Sequence, residues 1–198
     1  MIQRIAQQHA WEEFREEAQT VQSFKDLVDI AGKYFKWLGS GGESTVFAVD
    51  RHRVVKISDD RKNMRAEYIT FINSEYQYVT PDAYAHQDTW MWILVERIEP
   101  LEIGHWQAIW DYLPTFQERA EELPRKTIDN FIDGIRAIQD GLPLQQWIDQ
   151  LPDKERRFFY DLADLHTDLG LKAADIRPSN MGWDDGGRLV LYDVFTQL

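Results

Sequence analysis

The sequence predicts an α+β protein with two lobes, and this prediction rests on the order of its hydrophobic patterns. Apolar residues follow helical spacing through about residues 3–30. Runs of β-branched residues, divided by glycine-rich turns, then occupy much of residues 36–98. After Pro100 the spacing is mainly helical again. Because the strands cluster early and the helices later, we expect one lobe built on a sheet and one helical lobe.

Within the first lobe, the segment "WLGSGGESTVFAVDRHRVVKIS" predicts a glycine loop with a hairpin beside it. Helical spacing follows through Met64, Tyr68 and Phe71, and the apolar run in "TWMWILVERI" predicts a buried strand. The later elements are a helix in "HWQAIWDYLPTF", a helix capped by Thr127, a helix in "DKERRFFYDLADLHTDLG", and a closing hairpin from Met181 through "DDGG" to "RLVLYDV".

Composition excludes several classes of function. The 198 residues include 22 basic and 34 acidic side chains, and the net charge of −12 disfavours nucleic-acid binding, which needs a basic footprint. The absence of cysteine excludes disulfides and thiolate chemistry. The longest apolar run, Trp90–Val95, is too short to cross a bilayer, and the N-terminus lacks the apolar core of a signal peptide. We therefore expect a cytoplasmic protein with no membrane partner.

The glycine loop, "LGSGGESTV", is the first candidate site. Glycine lets backbone N–H groups approach an anion closely, so Gly39, Ser40, Gly41 and Gly42 could hold a phosphate. The same glycines also suit an ordinary hairpin turn. The stretch is not a P-loop, because a strand follows it and the Gly-Lys-Ser/Thr sequence is missing.

Lys56 is the second candidate, in the predicted strand "VVKIS". A strand lysine usually points to solvent. If Lys56 instead points into a cleft, it needs a carboxylate to keep it charged and oriented, and the nearest helical candidate is Glu67, in an otherwise apolar stretch. A strand lysine paired with a helix glutamate behind a glycine loop is far more specific than any one of these parts.

Three oxygen-bearing side chains near the end of the chain form the third candidate. Asp175 and Asn180 fit the pattern D-x-x-x-x-N, and Asp193 follows a β-type run. A carboxylate such as Asp175 can accept the proton of an attacking hydroxyl, while Asn and Asp oxygens suit Mg²⁺. Each residue alone is a common turn former. Their order behind the loop and the lysine favours the functional interpretation.

Together these motifs resemble those of the protein-kinase-like family, from about Lys36 to the C-terminus. Gly39 and Gly41 match its glycine-rich loop, with Ser44 where a third glycine is usual. "VVKI" resembles the strand that carries the ATP lysine, and Glu67 is the best match to the lysine's helix partner. "ILVERIEP" resembles the hinge, which implies Val95 as gatekeeper and the backbone of Glu96 to Ile98 as the contact for adenine.

The stretch "LADLHTDLGLKAADIRPSN" resembles the family's catalytic loop. The resemblance implies Asp175 as the catalytic base, Arg177 in place of a lysine that contacts the γ-phosphate, and Asn180 as a metal ligand. "LYDVF" stands where the family has Asp-Phe-Gly, which makes Asp193 the principal Mg²⁺ ligand. The implied organisation is a helical extension over residues 1–35, an N-lobe over 36–98 and a mainly helical C-lobe over 99–198.

The sequence also departs from the family pattern. Ala173 and Ala174 replace the usual His-Arg before the catalytic aspartate, and only "VFTQL" follows Asp193. The resemblance therefore implies a shortened C-lobe that lacks the segment after the metal-binding aspartate. Short serine/threonine kinases encoded by bacteriophages share this abbreviated pattern.

The function that the resemblance implies is an ATP- and Mg²⁺-dependent kinase acting on serine or threonine of a protein. Two alternatives remain open. One is a kinase-derived binding module that docks on and regulates a partner protein, and the other is a kinase for a small molecule. The helical stretch from Glu102 to Asp153 could form a surface for the substrate or partner, although helix packing explains its pattern equally well.

Overall fold

The structure is a computed structural model, and it describes residues 2–41, 44–101, 106–115, 143–168 and 180–192. The described residues divide into two compact units. The first unit contains residues 2–72 and 81–97. The second contains residues 73–80 and the described residues from 98 onward.

The first unit is a five-stranded antiparallel sheet with three helices. Its strands lie in the order β1-β2-β3-β5-β4, so the chain crosses from β3 to the far edge strand before it returns. In chain order its elements are α1 (Ile2–Ala18), α2 (Phe24–Tyr34), β1 (Lys36–Ser40), β2 (Ser44–Ala48), β3 (Arg53–Ser58), α3 (Arg61–Phe71), β4 (Ala83–His86) and β5 (Trp92–Glu96).

One face of this sheet packs on α1 and α2. Successive strand residues point to opposite faces, and every second residue of the central strands belongs to one buried cluster: Phe47 on β2, Val55 and Ile57 on β3, and Trp92 and Leu94 on β5. The helices contribute large side chains to the same cluster, among them Trp11, Phe14, Leu27 and Phe35. The helices predicted over residues 3–30 are therefore present and cover the sheet.

Polar side chains fix where the helices of this unit begin and end. The Ser23 hydroxyl accepts the Asp26 N–H at 3.3 Å and caps α2. The Asp60 carboxylate accepts the Asn63 N–H at 3.0 Å and caps α3 in the same way. At the end of α1, the buried Gln87 amide donates to the carbonyls of Ala18, Gln19 and Val21 at 2.6, 3.2 and 2.8 Å. These bonds supply donors just after α1, where the last carbonyls of a helix have no intrahelical partner.

The second unit contains a small antiparallel sheet of three strands in the order β6-β7-β8. In chain order its elements are a 3₁₀ turn (Ser74–Tyr76), β6 (Glu99–Pro100), α4 (Trp106–Tyr112), α5 (Pro143–Ile148), α6 (Asp153–Asp168), β7 (Met181–Trp183) and β8 (Leu189–Leu191).

The backbones of β6 and β7 approach each other closely at Gly182. A Cβ atom on Gly182 would lie 2.4 Å from the carbonyl oxygen of Glu99, so only glycine fits this position of β7. The β7–β8 turn also depends on a glycine, because Gly187 has a φ of +74°. Asp184 completes that turn by accepting the Arg188 N–H at 2.7 Å.

Helix α6 packs against the segment at residues 73–80. The phenol of Tyr76 donates to the carboxylate of Asp168, and the Tyr78 N–H donates to Asp161 at 3.3 Å. The Leu191 N–H reaches the carbonyl of Val79 at 2.7 Å and ties β8 to the same segment. The apolar side of α6 is buried through Phe158, Phe159, Leu162 and Leu165.

The α+β class is confirmed: the first unit has a five-stranded antiparallel sheet with a helix between its third and fourth strands, as in the predicted sheet lobe. The expected closing hairpin is present as β7 and β8. Strands β4 and β6 were not predicted. The predicted helix after Thr127 and the shortening of the chain after Asp193 concern residues outside the described ranges. Within those ranges, no helix is long and apolar enough to cross a membrane.

Candidate functional site

Lys56 and Glu67 form a buried ion pair in the first unit. The Lys56 Nζ lies 2.7 Å from Oε1 and 2.9 Å from Oε2 of Glu67, so it donates to both oxygens. The side chain of Glu67 is 5% exposed and that of Lys56 is 17% exposed. A carboxylate this deeply buried is strongly disfavoured unless a cation accompanies it.

The local sequence explains why these two side chains meet. Val55 and Ile57 on β3 face α1 and α2, so Lys56 between them must face the opposite side of the sheet. On α3, Glu67 shares the buried face with Met64 and Phe71, three residues before it and four after it. The buried face of α3 therefore presents Glu67 to the lysine-bearing face of the sheet.

An apolar surface surrounds Lys56 on that face. Val46 on β2 is directly opposite Lys56, and Ala48 is opposite Val54. Val54 is in turn opposite Val95 on β5. Side chains of directly opposed residues lie on the same face of a sheet, so these four apolar side chains share the face of Lys56. No role was predicted for Val46, Ala48 or Val54. The available signal was that Val46 and Ala48 are two residues apart on one strand, and that Val54 is two residues before Lys56 on the next.

The glycine loop is the turn between β1 and β2. Gly39 is opposite Val46, which is itself opposite Lys56, so one row across the sheet links the loop to the lysine. A Cβ on Gly39 would meet nothing within 4 Å. The Ser40 hydroxyl lies 3.1 Å from that of Thr45, and the Gly41 N–H donates to the Ser44 carbonyl at 2.8 Å within the hairpin. Gly42 lies outside the described residues.

The backbone after Val95 is partly committed to internal hydrogen bonds. The Glu96 N–H donates to the Asp82 carbonyl at 2.8 Å, and the Arg97 N–H donates to the His52 carbonyl at 2.7 Å. The buried Glu96 side chain also accepts the Asp82 N–H at 3.2 Å. Among the described residues, Ile98 N–H forms no hydrogen bond. Of the three N–H groups predicted to face adenine, Ile98 alone therefore remains a candidate donor.

In the second unit, Asn180 stands directly before β7 and is 5% exposed. Its carbonyl accepts the Tyr192 N–H at 2.9 Å, which extends the β7–β8 pairing by one bond. Its side-chain amide carries an oxygen of the type that Mg²⁺ prefers. Asp175, Arg177 and Asp193 lie outside the described residues. The described ranges contain no group of three His, Cys, Asp or Glu side chains able to hold a metal.

Helix α6 of the second unit also carries perturbed carboxyl groups. Burial raises the pKa of Asp161, and the nearby Asp164 raises it further. Burial likewise raises the pKa of Asp164, with added repulsion from Asp168 and Glu75. These shifts reflect acidic groups crowded beside the segment at residues 73–80, and no candidate site residue causes them.

The structure thus brings together Lys56 and Glu67, as expected, and aligns Gly39 with Lys56 across the sheet. The catalytic and metal-binding roles assigned to the site residues, and the resemblance to phage kinases, stay predictions.

No family model matches the chain, and a comparison with curated proteins found no match. Among solved structures, a streptomycin–ATP–APH(2″)-IIa ternary complex has 14% identity and a TM-score of 0.40, with 89% of this chain and 73% of that chain covered. Choline kinase LicA from Streptococcus pneumoniae has 13% identity and a TM-score of 0.39, with 86% of this chain and 68% of that chain covered. At this level of similarity, function has to be argued from the residues of this chain.

Proposed function

We propose that the protein is an ATP-dependent phosphotransferase that passes the γ-phosphoryl group to a hydroxyl. The observation that supports this proposal is the ion pair between Lys56 and Glu67. A buried ion pair contributes little net stability compared with apolar residues of similar volume. A lysine held by a glutamate on one face of a sheet, in line with a glycine hairpin, is therefore better explained by phosphate binding than by folding.

The apolar surface around Lys56 suits the base of the nucleotide. Small-molecule sites are mostly apolar, with a few polar groups that set the orientation. Val46, Ala48 and Val54 would pack against the purine ring, and the Ile98 N–H would donate to a ring nitrogen. Lys56 would then contact the phosphates, with Glu67 holding its ammonium in place.

Asn180 and Asp193 would hold Mg²⁺, because both offer the oxygen ligands that this cation prefers. When bound, Mg²⁺ neutralises charge on the phosphates. Arg177 would contact the transferred phosphate, and Asp175 would orient the acceptor hydroxyl and take its proton. We therefore expect ATP to bind more tightly with Mg²⁺ than without it. Calorimetry that found equal affinities would count against the assignment of Asn180 and Asp193.

The acceptor that we propose is a serine or threonine of a protein, which the resemblance to short phage kinases implies. Incubation with ATP labelled on its γ-phosphate, in the presence of Mg²⁺, tests this directly. The label is then measured on the protein itself, on the proteins of a cell lysate and in the small-molecule fraction. Phosphoserine or phosphothreonine in the protein fractions supports the proposal. Label in small molecules alone would make the protein a small-molecule kinase, and ATP binding without any transfer would make it a binding module.

A further inference from the structure

The face of α3 that points away from the sheet carries an unusual combination of side chains. Arg61, Lys62 and Arg65 are exposed on its first half, whereas Ile69 on its second half and Ile72, the residue directly after its end, are 48% and 55% exposed. We call these five residues the outer face of α3. Spacings of three and four residues place them on one side of the helix. Met64, Glu67 and Phe71 occupy the opposite, buried side.

The charge of this outer face contrasts with that of the chain. The protein carries a net charge of −12, yet three basic residues lie within five positions of α3. None of the three forms an ion pair with another described residue. These basic side chains, beside two exposed isoleucines, form a local surface of opposite sign to the rest of the protein, which suits an acidic partner with apolar side chains.

A rigid aromatic cluster borders the outer face. The rings of His86 and Trp90 stack with centroids 4.0 Å apart, and Tyr68 meets His86 edge-on at 4.7 Å. The guanidinium of Arg65 lies 5.9 Å from the Trp90 ring centroid. Trp90 has a φ of 62°, a conformation that side chains other than glycine rarely adopt. The stacking therefore orders Trp90, a residue in a strained backbone conformation, at the edge of this surface beside Arg65.

We propose that the outer face of α3 is a docking surface for an acidic amphipathic helix of a partner protein. The basic residues would pair with glutamates or aspartates of that helix, and Ile69 and Ile72 would pack against its apolar side chains. The surface runs along about 15 Å of helix, which matches about three turns of a partner helix. This proposal is independent of the phosphotransferase activity, because it uses none of the candidate site residues.

An anionic membrane is the competing ligand for a basic and apolar surface. A helix that lies in a membrane carries its largest apolar stripe toward the lipid, whereas the largest apolar stripe of α3 is buried in the first unit. The net charge of −12 also repels anionic lipid. Both observations favour a protein partner.

The test uses a synthetic helical peptide, about three turns long, with glutamates on one face of its N-terminal half and leucines on the same face of its C-terminal half. A scrambled peptide of equal composition is the control. Fluorescence anisotropy should show saturable binding of the patterned peptide, with at least about tenfold weaker binding of the scrambled one. Ile69→Asp with Ile72→Asp should also weaken binding by at least about tenfold, because burial of half an isoleucine contributes roughly that factor.

Matched variants separate this surface from general effects. Lys62→Glu should weaken peptide binding, and higher salt should weaken it further. Arg51→Glu, on the exposed β2–β3 turn, should leave peptide binding unchanged. Equal binding of both peptides, or no saturable binding of the patterned peptide, would overturn the proposal. Stronger binding to phosphatidylcholine–phosphatidylserine vesicles than to the peptide would also overturn it. Self-association of the protein that is abolished by Ile69→Asp would likewise overturn the proposal, because the surface would then bind a second copy of the chain.

Discussion

Replacement of Lys56 by methionine should destabilise the protein far more than replacement of an exposed lysine. Methionine keeps the apolar stem but removes the ammonium that donates to both oxygens of Glu67 at 2.7 and 2.9 Å. The Glu67 carboxylate, 5% exposed, then loses these two charged hydrogen bonds. Removal of one partner from a buried ion pair costs about 3–5 kcal/mol of stability. Because Lys56 is 17% exposed and water reaches part of it, we expect a loss at the lower end of this range, about 3 kcal/mol.

Replacement of Glu67 should cost less stability than replacement of Lys56. Glu67→Leu leaves the ammonium of Lys56, which can turn toward solvent, so a loss of roughly 1–2 kcal/mol is expected. The double variant, with methionine and leucine in place of the pair, removes both charges of the pair and should lose only about 0–1 kcal/mol. The three variants therefore form a double-mutant cycle with a large favourable coupling between the two sites.

Urea unfolding followed by circular dichroism measures these free energies. For a chain of this size, about 3 kcal/mol corresponds to a fall in Tm of roughly 6–12 °C. Lys62→Met, on the exposed face of α3, is the matched control and should stay within about 0.5 kcal/mol of the parent. A double variant that loses the sum of the two single losses would refute the reasoning, because the two groups would then not act as one pair.

Three further predictions concern other parts of the chain. Asp175→Ala should leave ATP affinity nearly unchanged and lower phosphoryl transfer by about 10²–10⁴-fold, so a parental transfer rate would show that Asp175 is not the base. Gly182→Ala should cost roughly 1–3 kcal/mol in urea unfolding, because its Cβ would lie 2.4 Å from the Glu99 carbonyl oxygen, and a neutral result would contradict that packing. Burial, Asp168 and Glu75 raise the pKa of Asp164, so its ionised form destabilises the fold above the ordinary carboxylate range. Because Asp164 is exposed and solvent screens its repulsion, Asp164→Asn should raise the free energy of unfolding by only about a few tenths of a kcal/mol at about pH 7. The gain should be lost toward about pH 4, and an equal effect at both pH values would exclude this cause.

The sequence was sufficient to predict the elements that have a strong pattern of their own. The β-branched run around Lys56 and the helical spacing through Met64 and Phe71 are local signals, and they led to the predicted pairing of Lys56 with Glu67. Strands β4 and β6 lack such signals. β6 contains only Glu99 and Pro100, and it is a strand because β7, far along the chain, pairs with it.

Features that depend on tertiary contacts could not be predicted. Gln87 appears in the sequence as an ordinary polar residue before a turn, yet its buried amide binds three carbonyls at the end of α1. Val46, Ala48 and Val54 look like any apolar strand residues until the register places them on the face of Lys56. A sequence pattern gives the period of a strand, whereas the pairing of strands decides which face each side chain shares.

Calorimetric titration of ATP with Mg²⁺ tests the central claim most directly, namely that Lys56 binds the nucleotide. The parent protein and the Lys62→Met control should bind with equal affinity. The Lys56→Met, Glu67→Leu double variant, whose folding should be largely preserved, should bind roughly tenfold to a hundredfold more weakly, because it lacks a charged donor to the phosphates. Unchanged affinity in the folded double variant, or no ATP binding by the parent, would contradict the account.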